Sequence, residues 1–214
     1  MKIAIIGSGF YGATMGLLLS KKHDVSIFEK EKSIFNGASS ANQFRFHLGY
    51  HYPRSQKTVN EINKSKKDFI SFFGEKTFEK TKNYYPVAKK GKLNFATYEN
   101  FLKKNKIKYK KVNFLKDILT IENTILTEEK ILNFFKTKKF IIDCIKKSNI
   151  KLYLNNEFKK NSMNKFDKII IATYANNNNV LSKLGIKKLD KFKYQLVEKI
   201  VIKLPEKYKK KSFV

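Results

Sequence analysis

Ile3-Ala4-Ile5-Ile6-Gly7-Ser8-Gly9-Phe10-Tyr11-Gly12, then a small and apolar run to Leu19, then Val25-Ser26-Ile27-Phe28-Glu29, is the stretch that decides the fold. It reads as a strand, a glycine turn, a helix and a second strand that ends in an acid. Gly7 permits the tight turn out of the strand, and Gly9 lets backbone approach a pyrophosphate with no side chain in the way. Gly12 lets the helix pack closely on the sheet, and the helix N-terminus offers free N–H groups and a positive dipole end to phosphates. Gly16 extends the small face by one turn. Three spaced glycines alone are a weak signal. Here they follow a strand, open a helix and meet Glu29, 17 residues after Gly12, which is the context the dinucleotide motif requires. A carboxylate at that place accepts hydrogen bonds from ribose hydroxyls and repels a 2′-phosphate. That favours NAD or the ADP half of FAD over NADP.

The composition sets the outer limits. At 214 residues and 42% hydrophobic, with 19 Phe and 11 Tyr, the chain has enough apolar surface for a real core, so its 30% charged residues do not make it disordered. The single Cys144 lies in an apolar stretch, excludes an internal disulfide and reads as a buried structural thiol. No run reaches the ~18 apolar residues of a membrane span, so a cytoplasmic location without a membrane partner is the expectation. The net charge of +28 comes from lysines spread along the chain. Such a spread reads as solvated faces and the bias of AT-rich coding rather than as a specific nucleic-acid groove, which would need clustering and interleaved aromatics.

Against that lysine background one segment stands apart. The only two arginines, Arg45 and Arg54, bracket His47 and His51, with Tyr50 and Tyr52 between them. Arginine where lysine is the habit suggests that a fork-shaped guanidinium is needed. His47 and His51 alone, with no third ligand nearby, make a poor zinc site.

Further along, Ser55 caps a helix carrying Val59, Ile62, Phe69 and Phe73 and stopping at Gly74. Tyr84 to Phe95 reads as two short strands around Lys90-Gly91, Thr97 to Leu102 as a short helix, and residues 107–126 as strands and turns. A longer helix is expected from Thr127, with Glu128 and Glu129 in its first turn, to about Lys147. Strands follow at Ile150–Leu154 and Lys168–Ala172, the second apolar enough for a sheet covered on both faces. A turn and short helix run from Asn176 to Gly185, and the alternation from Tyr194 to Leu204 reads as a final long strand.

With these residues in view, the sequence resembles the FAD-dependent oxidoreductases of the D-amino-acid oxidase superfamily. The resemblance rests on the glycine turn, Glu29, the loop Gly37-Ala38-Ser39-Ser40-Ala41-Asn42-Gln43, the segment His47-Leu48-Gly49-Tyr50-His51-Tyr52-Pro53-Arg54-Ser55-Gln56-Lys57, and Asp167-Lys168-Ile169-Ile170-Ile171-Ala172-Thr173. It implies an α/β fold: a Rossmann-like FAD-binding domain with a central parallel sheet, over 1–80 and 127–186, interrupted by part of a second α+β substrate domain at 81–126 and 187–214. It implies a cofactor site of Gly7, Ser8, Gly9, Phe10, Tyr11, Gly12, Glu29, Lys30, Ala38, Ser39, Ser40, Asn42, Ala172 and Thr173, holding FAD. The expected reaction is oxidation of a small amino acid or 2-hydroxy acid by hydride transfer to flavin. Arg45, Tyr50, Tyr52 and Arg54 are the substrate candidates, and His47 or His51 the proton acceptor. Where the family has a glycine after Ala-Thr, this chain has Tyr174. The family continues well beyond the length of this chain, which therefore reads as an N-terminal portion of a longer flavoprotein. A sugar-nucleotide mutase, an amine oxidase or a catalytically incomplete dinucleotide-binding fragment are the rival readings.

Overall fold

In the computed structural model of the chain, the structure describes all residues except 113–119, 188, 190, 199, 201, 204 and 210. The first elements are β1 (Lys2–Ile6), α1 (Phe10–Leu19), β2 (Asp24–Phe28), β3 (Arg45–Phe46), α2 (Gln56–Phe73), β4 (Phe78–Lys80), β5 (Lys82–Ala88) and α3 (Phe95–Lys104). They are followed by β6 (Tyr109–Val112), β7 (Ile121–Thr127), β8 (Lys130–Leu132), α4 (Phe134–Lys146), β9 (Lys151–Tyr153), β10 (Lys168–Ile171), α5 (Asn177–Lys183) and β11 (Lys211–Phe213). They form two compact units, residues 1–42 with 134–200, and residues 43–133 with 201–214.

The first unit is built on a wholly parallel sheet of order β10-β1-β2-β9. Alternate residues of β1 serve opposite layers. Ile3 and Ile5 pack with Val25 and Ile27 on one face, while Ala4 and Ile6 pack with Phe158, Val180 and Leu184 on the other. Burial on both faces explains why Ile169-Ile170-Ile171 is apolar without alternation. α1 lies on β2 closely enough that a Cβ on Gly16 would come within 2.6 Å of Ile27 Cδ1. The small face foreseen from Gly12 and Gly16 is thus a packing requirement.

The second unit holds two sheets. One, of order β11-β5-β7-β6, is antiparallel except where β11 joins β5 in parallel; the other, β3-β8-β4, is antiparallel. Its core gathers Tyr50, Tyr85, Phe95, Tyr98, Leu102 and Ile125. α2 begins as the sequence dictates: Ser55 Oγ accepts from Thr58 N at 3.4 Å, and Gly74 ends the helix at φ 75°. A positive φ of that kind is open to glycine at no steric cost.

Several expectations change. The helix read from Thr127 begins at Phe134. Residues 121–132 are two strands instead, because Thr127 pairs with Asn83 and Ile131 with Arg45. Long-range ladder pairing outweighs the local helix-start signal of Glu128 and Glu129. The segment Tyr84–Phe95 holds one strand, β5, and Phe95 opens α3, capped by Asn94, whose Oδ1 accepts from Thr97 N at 2.8 Å. None of the described residues between Tyr194 and Lys203 is in a strand, and Leu204 lies outside the described residues, as do 113–119 of the stretch read as strands and turns. Cys144 is half-buried on α4. The first compact unit breaks off at Asn42/Gln43, and β3 and β4 both pair with β8 in the second. Among the described residues, no helix is long and apolar enough to cross a membrane.

Candidate functional site

At the carboxyl ends of β1, β2 and β10, the place where open α/β sheets bind ligands, the glycine turn is held by contacts that only glycine allows. Gly7 has φ 98°, and a Cβ there would stand 2.6 Å from Ala172 O. A Cβ on Gly12 would stand 2.0 Å from Gly7 O. Gly7 N donates to Phe28 O at 2.8 Å, and Ala172 N to Ile6 O at 2.8 Å, so strand ends and turn are tied together. Gly9, at φ −65°, precedes α1 without a side-chain cap of its own. Its place is taken from a distance by Ser39, whose Oγ accepts from Phe10 N at 2.8 Å. Among the described residues the N–H groups of Tyr11 and Gly12 donate to no partner, which leaves the positive end of α1 available to phosphate oxygens.

Glu29 stands beside this turn. Its Oε2 accepts from Ser8 N at 2.8 Å and Ser8 Oγ at 2.7 Å, and its Oε1 from Glu31 N at 3.0 Å. The carboxylate is therefore oriented by backbone and keeps further lone pairs for a sugar hydroxyl. Thr173 is fixed by Asn177, whose Oδ1 accepts from Thr173 N at 3.0 Å and Thr173 Oγ1 at 2.8 Å. The loop holding Ala38, Ser39 and Ser40 forms a short 3₁₀ turn, with Ser40 Oγ donating to Gly37 O and Asn42 Nδ2 to Ser39 O. Lys30 is exposed beside Glu31 at 3.8 Å. Tyr174 sits at φ 55° and 77% exposed. A tyrosine here adopts a left-handed backbone that glycine would take freely. The turn, the oriented acid and the open helix N-terminus fit a dinucleotide. A shallow depression near Lys2, Asp24 and Asp167 lies at the opposite, amino-terminal ends of the strands, away from this turn.

In the second unit His47 and Leu48 of the Arg/His/Tyr segment meet a residue not among the sequence's site candidates. Glu129, in the turn between β7 and β8, is 2% exposed. Its Oε2 accepts from Tyr85 Oη at 2.6 Å and its Oε1 from Leu48 N at 2.9 Å, while His47 Nδ1 lies 3.5 Å from Oε1. Burial alone would raise its pKa. The His47 ring, the Tyr85 hydroxyl and the Leu48 amide outweigh that, and the carboxyl is held below its usual range. The same burial, with the Glu129 charge, pushes the Tyr85 and Tyr98 hydroxyls far up.

His47 stacks on His51 with ring centroids 5.6 Å apart, and Tyr52 meets both rings edge-on. Partial burial and the neighbouring His47 lower the His51 pKa, partly offset by Glu129. Tyr50 is a core residue. Its hydroxyl donates to Lys108 O and accepts from Glu128 N, and its pKa is pushed up to about 12, chiefly by burial. Arg45 spends its guanidinium on Asn83 Oδ1, Ser212 Oγ and Phe213 O, fixing β11 beside β5. Arg54 is exposed and has no partner among the described residues. Glu129 escapes a sequence reading because its partners lie 44, 81 and 82 positions away (Tyr85, Leu48 and His47).

The comparisons with known proteins agree with the first unit's geometry. The chain is 36% identical over 76 residues to the FAD-dependent monooxygenase kojA of Aspergillus flavus, a match covering 35% of this chain and 18% of that protein. It is 31% identical over 99 residues to the FAD-dependent monooxygenase FPY4 of Fusarium mangiferae, covering 45% of this chain and 27% of that one. Among solved structures, glycine oxidase from Geobacillus kaustophilus superposes with a TM-score of 0.66 at 14% identity, over 86% of this chain and 58% of that one. L-proline dehydrogenase from P. horikoshii superposes with a TM-score of 0.64 at 18% identity, over 88% of this chain and 56% of that one. At such identities the superpositions show the fold, and this chain spans little more than half the length of those structures. The family model for DAO, FAD dependent oxidoreductase, matches residues 2–138. The chain belongs to the DAO family of FAD-dependent oxidoreductases.

Proposed function

We propose that this chain is the cofactor-binding and part of the substrate-handling portion of an oxidase or dehydrogenase that acts on a small amino acid or 2-hydroxy acid. The observation that carries the reading is the glycine turn itself: Gly7, Gly12 and Ala172 pack backbone to backbone and leave the N-terminus of α1 open beside the oriented Glu29. Tyr11 N and Gly12 N would hold pyrophosphate oxygens, and Glu29 the ribose. Bound FAD would supply the hydride acceptor.

We assign cofactor binding to the first unit and substrate handling to the second. His47 takes the proton from the substrate's hydroxyl or amine, its side chain 31% exposed and its imidazole able to accept a proton at a ring nitrogen. Arg54 grips the carboxylate with two parallel hydrogen bonds. Its guanidinium is free for this, whereas that of Arg45 is engaged within the fold. Tyr52, packed against His47, shapes the same surface.

The test is an anaerobic screen of the FAD-loaded chain with small amino and 2-hydroxy acids, read by bleaching of the flavin absorption. Bleaching by one class, lost in Arg54→Ala through a raised KM, is the expected result. Tight FAD binding with no bleaching by either class contradicts the substrate reading.

A further inference from the structure

The Glu129 carboxylate makes a demand on its surroundings that no local sequence feature reveals. Its side chain is wholly buried, and a buried carboxylate is costly unless it is both hydrogen-bonded and paired with positive charge. Two of its three neighbours, Tyr85 Oη and Leu48 N, are neutral donors. Among the described residues His47 is the one basic side chain within ion-pair distance, at 3.5 Å. The histidine makes the complementary demand. Its Nδ1 is buried and makes no aligned hydrogen bond, while the ring as a whole remains 31% exposed. One edge of the imidazole is thus turned to a buried acid and the other to solvent. Its plane is held by His51, stacked at 5.6 Å, and by Tyr52 at 5.5 Å.

Glu129 is itself hard to displace. Tyr85 on β5 and the backbone of Leu48 fix its two oxygens, and Asn83 Nδ2 donates to its carbonyl oxygen. The acid is a fixed point against which the imidazole is oriented.

We propose that Glu129 is a positioning residue for His47: it holds the proton of the neutral imidazole on Nδ1 and leaves Nε2 as the outward acceptor. Which ring nitrogen carries the proton is set by the partner of the other. A histidine in water prefers the opposite form, with the proton on Nε2, which could not accept a proton at its exposed edge. The use of this tautomer in turnover rests on the role of His47 proposed above. The tautomer itself does not depend on that role.

The experiment is ring ¹⁵N NMR of the histidines in the full chain, with the His47 signals identified by their loss in His47→Gln. On deprotonation, His47 is expected to settle in the Nδ1–H form. Glu129→Ala is expected to lose that preference, and Glu129→Gln, which keeps an oxygen acceptor, to restore most of it. A purely structural Glu129 would leave the tautomer unmoved. Settlement of His47 into the Nε2–H form in the unsubstituted chain overturns the proposal, and that result needs no variant to fold. If instead the Nδ1–H form is found and no substrate bleaches bound FAD, the functional reading fails and the positioning by Glu129 stands.

Discussion

The carbonyl oxygen of Gly7 and the α-carbon of Gly12 pack so closely that a Cβ on Gly12 would stand 2.0 Å from that oxygen. The contact is between backbone and backbone, so no side chain can swing away to relieve it. It binds the turn after β1 to the first turn of α1, and it sets the shape of the surface offered to a dinucleotide. Gly12→Ala is therefore expected to lower stability by about 1–3 kcal/mol through overpacking and to weaken FAD binding as well, measured by thermal melting and FAD titration.

Gly9 behaves differently. Its φ of −65° suits any residue, and a Cβ there meets only Ser39 Oγ, at 3.1 Å. Gly9→Leu should melt within about 1 kcal/mol of the parent, yet lose FAD affinity by tenfold or more, because its side chain fills the space left for the pyrophosphate. Unchanged affinity would remove Gly9 from the site.

Tyr174 is in the left-handed region at φ 55° and exposed. Relieving that backbone should outweigh the entropy glycine adds to the unfolded chain. Tyr174→Gly is expected to raise stability by about 1 kcal/mol, read from chemical denaturation. A loss of stability would mean that the tyrosine ring makes contacts worth more than the strain.

Because Glu129 has a folded pKa below its ordinary value, it contributes stability that is fully present above the unfolded carboxyl value and is lost as pH falls through the folded one. Glu129→Gln should thus cost about 1 kcal/mol near neutrality, and the gap to the parent chain should close below about pH 4. A gap that persists in acid would mean the loss comes from packing rather than charge.

His51 offers the matching case at higher pH. Its folded pKa is depressed, mainly by burial and by His47. Its contribution is present above the unfolded histidine value and fades as pH falls through the folded one. His51→Gln should flatten the decline in melting temperature between about pH 7 and pH 5.

What the sequence made legible was what neighbours in the chain decide. The turn from Gly7 to Gly12, the Ser55 and Gly74 ends of α2, and the apolar β10 each follow from a few adjacent residues. The reading failed where distant partners decide. Glu128 and Glu129 imitate the start of a helix, but Asn83 and Arg45 draw their neighbourhood into two ladders. The same pairing buries Glu129 beside His47, so the error about the strands and the omission of the acid have one cause. Tyr194–Leu204 shows the converse: alternation without a partner strand makes no strand among the described residues. Arg45, offered by the sequence as a substrate candidate, directs its fork at Asn83, Ser212 and Phe213, partners 38, 167 and 168 positions away that no local pattern reveals.

The most direct test of the cofactor site is a titration of the purified chain with FAD and with NAD, followed by flavin absorption and protein fluorescence. FAD should bind at least about tenfold more tightly than NAD, a difference of roughly 1.4 kcal/mol or more. Equal or tighter binding of NAD, or no binding of FAD by a chain that melts cooperatively, would contradict the account.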